Sequence, residues 1–77
     1  MKQSIIEEVG IGQKHIVEER FNKIRKNIKK FNGGLLKYKT VNLGNGKRFQ
    51  VMYNGVIHTE LTLLTDRYTH TLYRTTY

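Results

Sequence analysis

One apolar stripe, spaced for an α-helix, constrains the fold of this chain more than any other feature. Between residues 13 and 31 the large apolar side chains recur at spacings of four, three, four and three, at Val17, Phe21, Ile24, Ile28 and Phe31. This spacing is typical of a helix with one buried face. Most other residues in the stretch are polar, so the stripe predicts a helix that must bury one side against another apolar surface.

The same stretch also predicts the chemistry of a partner, because every charged residue from Arg20 to Lys30 is positive. The whole chain has a formal net charge of +8 and an isoelectric point near 10.0. A field of this size attracts polyanions and speeds their association. Two kinds of partner fit it: nucleic acid and an acidic protein surface.

The residues before the stripe predict a helical start with a break. The segment from Ser4 to Glu7 fits a capping box, in which the two side chains bond each other's backbone amides. A glycine inside a helix costs about 1 kcal/mol, and Gly10 and Gly12 follow closely. We therefore expect a helical part over residues 1–34 that is kinked or broken near Gly10–Gly12, with its main helix starting there.

From residue 35 onward the pattern changes to that of antiparallel strands. Val, Thr, Tyr and Leu are abundant, and glycine and asparagine turns interrupt them. The sequence predicts four strands, at residues 35–43, 47–53, 56–64 and 67–75. Matching apolar side chains across the strands favours three-residue loops at 44–46 and 53–55 and a two-residue turn at 65–66.

This register predicts one apolar sheet face for the helix to cover. That face holds Val41, Leu43, Phe49, Val51, Ile57, Leu61, Leu63, Tyr68 and Leu72. The opposite, polar face holds Tyr38, Thr40, Arg48, Gln50, Met52, His58, Glu60, Thr62, Thr69, Thr71 and Tyr73. The expected fold class is α+β, a single domain over residues 1–77 in which an N-terminal amphipathic helix packs on one face of a four-stranded antiparallel meander formed by residues 35–77.

The helical stripe has a second interpretation, since its average spacing of about 3.5 residues also fits a coiled coil. Two heptads are too short to hold a dimer alone. Packing against the sheet is the simpler interpretation. A homodimer through the helices or through a sheet edge stays open, because edge strands need protection.

The reactive side chains argue against an enzyme. The only aspartate, Asp66, lies in a predicted turn, and the chain has no cysteine. Four of the five glutamates lie in the predicted helical part, where surface roles are available to each. No glycine-rich phosphate loop is present, and the histidines, His15, His58 and His70, lack the spacing of metal ligands. We expect no catalytic residues, no cofactor and no metal.

The composition also indicates where in the cell the protein is found and what kind of genome encodes it. No apolar run approaches the ~20 residues of a membrane span, and the first residues do not form a signal peptide. We therefore expect a cytoplasmic protein that does not enter membranes. The lack of alanine and proline beside abundant isoleucine, lysine and asparagine is typical of a short reading frame in an AT-rich genome, such as that of a phage.

The leading hypothesis is a small, basic, non-enzymatic protein that binds DNA or RNA through phosphate contacts with low base specificity. The predicted contact residues are Arg20, Lys23, Lys26, Lys29, Lys30, Lys47 and Arg48. A second candidate surface is the polar sheet face, where Tyr38 and Tyr73 lie among cations, as in surfaces that stack single-stranded bases. Tyrosine is also a good strand former in its own right.

The alternative function belongs to a different class. The same composition fits a phage protein that inhibits or redirects a host replication, transcription or defence protein by docking on its acidic surface. A basic field suits either partner.

Overall fold

The protein is a five-stranded antiparallel sheet with one helix on one face. The computed structural model describes residues 2–30 and 36–77 and leaves out the side chains of residues 28–30. The elements are β1 (Lys2–Gly10), a 3₁₀ turn (Ile11–Gln13), α1 (Lys14–Lys30), β2 (Leu36–Leu43), β3 (Gly46–Tyr53), β4 (Val56–Thr65) and β5 (Thr69–Thr76). The strand order in the sheet is β1-β5-β4-β3-β2, so β1 and β2 are its two edges.

The predicted fold class is wrong at the N-terminus, because residues 2–10 form a strand and not part of a helix. β1 pairs antiparallel with β5, from Lys2 opposite Thr76 to Gly10 opposite Thr69. Its isoleucines and valine are β-branched and suit a strand. Backbone pairing along a whole strand outweighs a helix cap worth about 1 kcal/mol. The helix therefore follows a strand, and the sheet has five strands instead of four.

α1 carries the chain from one edge of the sheet to the other. A helix of 17 residues is about 25 Å long, and the four spacings across five strands add up to about 19 Å. The helix is therefore long enough to connect β1 to β2 across one sheet face. It packs mainly against β1, β5 and β4. The sheet face turned away from α1 is called the open face below.

Apolar side chains of α1 and the three central strands form the core. Its buried members are Val17, Phe21, Phe49, Val51, Leu61, Leu63 and Leu72. Phe21 meets Phe49 edge to face, with 6.0 Å between the ring centroids. Ile24 is partly buried against the same cluster, whereas the Ile28 side chain and Phe31 lie outside the described residues. The described part of the stripe therefore faces the sheet.

The hairpin between β3 and β4 has a shorter loop than predicted, followed by a bulge. Asn54 and Gly55 form a two-residue turn with φ angles of 52° and 80°, which an asparagine–glycine pair favours. The register then shifts next to Val51. This bulge returns Phe49 to the apolar face, opposite Leu61. The predicted three-residue loop is wrong, because the bulge and not the loop sets the alignment.

The hairpin between β2 and β3 also turns in two residues, Gly44 and Asn45, instead of three. A change of one residue in a hairpin loop moves every side chain of the strand to the other face. Tyr38 consequently lies on the helix side, stacked on Phe49 with 5.5 Å between centroids. The predicted faces are therefore wrong for β2, and Val41 lies on the open face.

The connection between β4 and β5 has three residues instead of two. The Asp66 carboxylate accepts hydrogen bonds from the backbone N–H groups of Tyr68 and Thr69, at 2.8 and 2.7 Å. Because these bonds favour the charged form, they hold the pKa of Asp66 below its ordinary value of 3.8. Tyr68 is 72% exposed, so it is not the core residue that the sequence predicted.

Candidate functional site

The predicted contact residues separate into a helix group and a strand group. Arg20, Lys23 and Lys26 lie on α1 with described side chains, whereas the side chains of Lys29 and Lys30 lie outside the described part. The remaining two, Lys47 and Arg48, are neighbours on β3. Successive residues of a strand point to opposite faces, so these two cations cannot serve one surface.

The first half of α1 has its positive charges compensated. The Nζ atom of Lys14 lies 3.7 Å from a carboxylate oxygen of Glu18, one turn along the helix. The Nε atom of Arg20 lies 3.3 Å from Oε2 of Glu7, which reaches the helix from β1. Arg20 is therefore tied to the sheet by one of the protein's own acids, although it remains about half exposed.

The described side chains in the second half of α1 have no such compensation. Glu19 is the last acidic residue before Lys30. Lys23 and Lys26 are exposed and form no ion pair with any described residue. They lie roughly 200° and 140° around the helix from the buried Phe21, so both project away from the sheet. We call Lys23 and Lys26 the helix lysine pair.

The cations between α1 and β3 rest against aromatic rings. The Nζ atom of Lys47 lies 5.0 Å from the centroid of the Phe21 ring. The guanidinium carbon of Arg25 lies 5.6 Å from the centroid of the Phe49 ring. Both distances allow cation–π attraction. These two cations therefore help to hold the helix on the sheet, while their charges still add to the field on that side.

Arg48 belongs to a polar cluster on the open face. Its Nε atom lies 3.6 Å from Oε2 of Glu60 and donates to Oγ1 of Thr62 at 3.3 Å. Glu60 also accepts from Nε2 of Gln50 at 3.2 Å. The Tyr77 hydroxyl donates to the same carboxylate, and this hydrogen bond raises the pKa of Tyr77 above its ordinary value. We call Arg48, Gln50, Glu60 and Tyr77 the Glu60 cluster.

The Glu60 cluster gives Arg48 a structural role. The Glu60 side chain is only 10% exposed, and a buried carboxylate is costly unless it is paired and hydrogen-bonded. Arg48 supplies the compensating charge. The sequence prediction placed Arg48 directly opposite Glu60, whereas the structure places it opposite Thr62 and diagonal to Glu60.

Arg74 is a cation that the sequence prediction left out. It lies two residues after the buried Leu72 on β5, so both side chains are on the helix side of the sheet, where Arg74 is opposite Leu61. There it borders a groove of about 420 Å³ beside the second half of α1. The other residues around this groove are Ile24, Asn27, Leu36, Val51, His58 and Thr59. The sequence did contain a signal for this position. Residues two apart in a strand share a face, so Arg74 could be expected on the same side as the apolar Leu72.

The second candidate surface does not form. Tyr38 lies on the helix side of the sheet, stacked on Phe49. Tyr73 lies opposite Thr62 and Ile5, on the open face. The two tyrosines therefore cannot stack neighbouring bases on one surface.

His70 has a structural role. Its Nε2–H donates to the backbone carbonyl of Ile11 at 3.0 Å, and its Nδ1 lies 2.8 Å from the Thr65 hydroxyl, which donates to it. This buried ring joins the segment before α1 to the hairpin of β4 and β5. Among residues 2–27 and 36–77, no group of three metal-binding side chains is present. Within the described chain, no helix is both long and apolar enough to cross a membrane.

Fold and surface together define a small two-layer protein with an excess of positive charge on its helix layer. No protein-family model, no curated protein and no solved structure matches the chain. Its function has to be inferred from its own residues.

Proposed function

We propose that this protein binds nucleic acid through the phosphate backbone, with little base specificity, and that the second half of α1 makes the contact. The observation that carries the proposal is the helix lysine pair, two exposed ammonium groups on the outer side of α1 without a carboxylate partner in the described chain. Two nearby acids are engaged elsewhere, since Glu7 pairs with Arg20 and Glu18 with Lys14. Glu19, one turn before Lys23, forms no ion pair with it in the described chain.

The scaffold favours phosphate contact over base reading. Backbone hydrogen bonds inside a helix are satisfied internally, so α1 can contact a partner only through its side chains, and its exposed cations suit phosphate groups. The aromatic rings nearest to these cations, Phe21 and Phe49, are buried in the core and present no platform for base stacking. Arg74, which borders the groove beside the same half of the helix, adds to the positive field on that side of the protein. These features support contact with a duplex backbone. The proposed function includes no catalytic step and is placed in the cytoplasm as part of the proposal.

The test compares two double variants that change the formal charge equally. Lys23→Glu/Lys26→Glu reverses the helix lysine pair, and Lys37→Glu/Lys39→Glu reverses two exposed lysines on the edge strand β2. Fluorescence anisotropy with a labelled DNA duplex at low salt measures the affinity. We expect the helix variant to bind at least about tenfold more weakly, because phosphate contacts dominate such affinities. The β2 variant should lose much less, and both circular dichroism spectra should stay unchanged.

Two results would overturn the proposal. The first is an equal loss of affinity in both variants, which would show a response to net charge without a defined surface. The second comes from a pull-down in nuclease-treated bacterial lysate. A stoichiometric protein partner that survives nuclease and moderate salt would favour the alternative function, docking on an acidic host protein.

A further inference from the structure

The two edges of the sheet are built differently. β1 contains a register shift between Ile5 and Glu7, and such bulges twist an edge away from further pairing. β2 contains none, and it pairs with β3 from Leu36 opposite Tyr53 to Leu43 opposite Gly46 without interruption. An edge strand offers a row of unpaired backbone N–H and C=O groups. β2 is therefore the regular edge, and its backbone can accept another strand.

Two exposed lysines give this edge of the sheet a positive charge. Lys37 and Lys39 are both exposed and lie on the open face, opposite the uncharged Met52 and Gln50 of β3. Neither forms an ion pair with a described carboxylate. Glu60 lies on the open face of β4, the strand beyond β3, and it is already bound to Arg48 and Gln50.

The lysines select the kind of strand that β2 accepts. A second copy of this chain, pairing β2 with β2, would bring like charges together along the edge and join two chains of net charge +8 each. Like charges placed opposite each other in a sheet are destabilising, whereas opposite charges are favourable. The edge is therefore protected against itself and complementary to an acidic strand.

On the other side of β2, two of the described side chains are polar and exposed. Thr40 and Asn42 lie on the helix side of the strand, opposite Phe49 and Lys47, and both are exposed. α1 packs mainly against the far strands of the sheet. An added strand could therefore present polar side chains on this side and acidic ones on the open face.

We propose that β2 is a docking site for an extended acidic peptide of a partner protein, which adds to the sheet beside β2. Acidic residues at alternate positions of that peptide pair with Lys37 and Lys39, and main-chain hydrogen bonds to β2 supply the rest of the binding. This inference is independent of the proposed nucleic-acid function, because it uses a different element and different cations.

The experiment uses the full chain labelled with ¹⁵N and a capped synthetic peptide of alternating threonine and glutamate. We expect the peptide to shift the amide resonances of β2 and to slow their hydrogen exchange, because backbone groups on the edge become paired. The same peptide with N-methylated backbone amides keeps its charges but cannot donate main-chain hydrogen bonds, so it should not bind. A peptide of alternating threonine and lysine should not bind either.

Variants separate this site from general charge attraction. Lys37→Glu/Lys39→Glu should weaken binding of the threonine–glutamate peptide by about tenfold and gain binding of the threonine–lysine peptide, because two favourable cross-strand pairs are reversed. Lys23→Glu/Lys26→Glu carries the same charge change and should bind the acidic peptide nearly as well as the wild type. The duplex assay on the same variants reports separately on the nucleic-acid proposal.

Each of three results would overturn the inference. The N-methylated peptide could bind as well as the parent, which would exclude strand addition. The shifts could map to α1, which would place the peptide on the helix lysine pair. Finally, a single-stranded oligonucleotide could shift β2 where the peptide does not, which would assign this edge to nucleic acid.

Discussion

The helix layer and the sheet layer of this protein use their positive charges in opposite ways. In the sheet, Arg48 compensates the buried Glu60 and donates to Thr62, so its charge stabilises the fold. On the outer side of α1, Lys23 and Lys26 are exposed and compensate no described acid. The comparison teaches that a count of cations does not define a binding surface, since position in the fold decides which charges are available.

The comparison also holds within α1 itself. Lys14 and Arg20 in the first half pair with glutamates, whereas the second half contains no acidic residue. Substitutions at the contact between helix and sheet show whether the two layers are held together as described. Substitutions at single charged residues show whether the charges in the sheet and on the helix have separate roles.

The largest expected effect is on the contact between the layers. Phe21 is 1% exposed and meets Phe49 across the interface. Phe21→Ala should lower the free energy of unfolding by about 3–5 kcal/mol, because it removes a buried ring and leaves a cavity. Chemical denaturation measures this loss. Phe21→Leu, which refills part of the space, should cost clearly less, and equal costs for both variants would contradict tight packing here.

The second-largest expected effect on stability comes from removing the carboxylate at the centre of the Glu60 cluster. Glu60→Ala leaves Arg48 without its carboxylate and Gln50 and Tyr77 without their acceptor, so the free energy of unfolding should fall by about 1–3 kcal/mol. The pKa of Tyr77 should return toward its ordinary value, since the hydrogen bond that raises it is gone. Tyrosine ring resonances followed through a pH titration measure that return.

Glu60→Ala also sharpens the comparison between layers, because it releases a cation in the sheet without touching α1. Affinity for a DNA duplex should not fall. A strong loss of affinity in a variant that remains folded would show that the open face takes part in binding and would contradict the division between the layers.

A smaller effect is expected at His70, which joins the segment before α1 to the β4–β5 hairpin. His70→Ala removes the hydrogen bonds to the Ile11 carbonyl and the Thr65 hydroxyl, and it should cost about 1–2 kcal/mol of unfolding free energy. Thr65→Val removes only one of the two bonds and should cost less. Hydrogen exchange should rise most at the start of α1, and a uniform rise along the chain would argue against a local joint.

The smallest effect is a dependence on pH in the β4–β5 turn. The folded-state pKa of Asp66 is lowered by hydrogen bonds from the Tyr68 and Thr69 backbone, so its carboxylate stabilises the fold above its unfolded pKa. This contribution is lost as the pH falls through the folded value. The midpoint of thermal unfolding should therefore differ between wild type and Asp66→Asn near neutral pH, and the difference should shrink in acid. A difference that grows in acid would contradict this sign.

Much of the sheet could be predicted because its signals are local. Alternating apolar residues and the turn at Asn54 and Gly55 place the four strands after residue 35 to within one or two residues. The faces were harder, because they depend on single residues. One residue fewer in the β2–β3 loop moved Tyr38 to the helix side, and a bulge near Val51 realigned β3 and β4.

The N-terminal strand could not be derived from local sequence. A serine and a glutamate three residues apart match a capping box. This local match contains no information about β5, the strand some 70 residues away with which the segment pairs. The same limit applies to the site. Sequence identifies the run of cations on α1, but the compensation of Arg20 by Glu7 and of Arg48 by Glu60 depends on pairings between distant strands.

The most direct test of the central claim is the salt dependence of duplex binding by wild type and Lys23→Glu/Lys26→Glu. If the helix lysine pair neutralises two phosphates, the slope of log affinity against log salt should be shallower in the variant by about 1.8. Parallel lines for the two proteins would contradict the account, because they would show that no phosphate contact had been lost with these lysines.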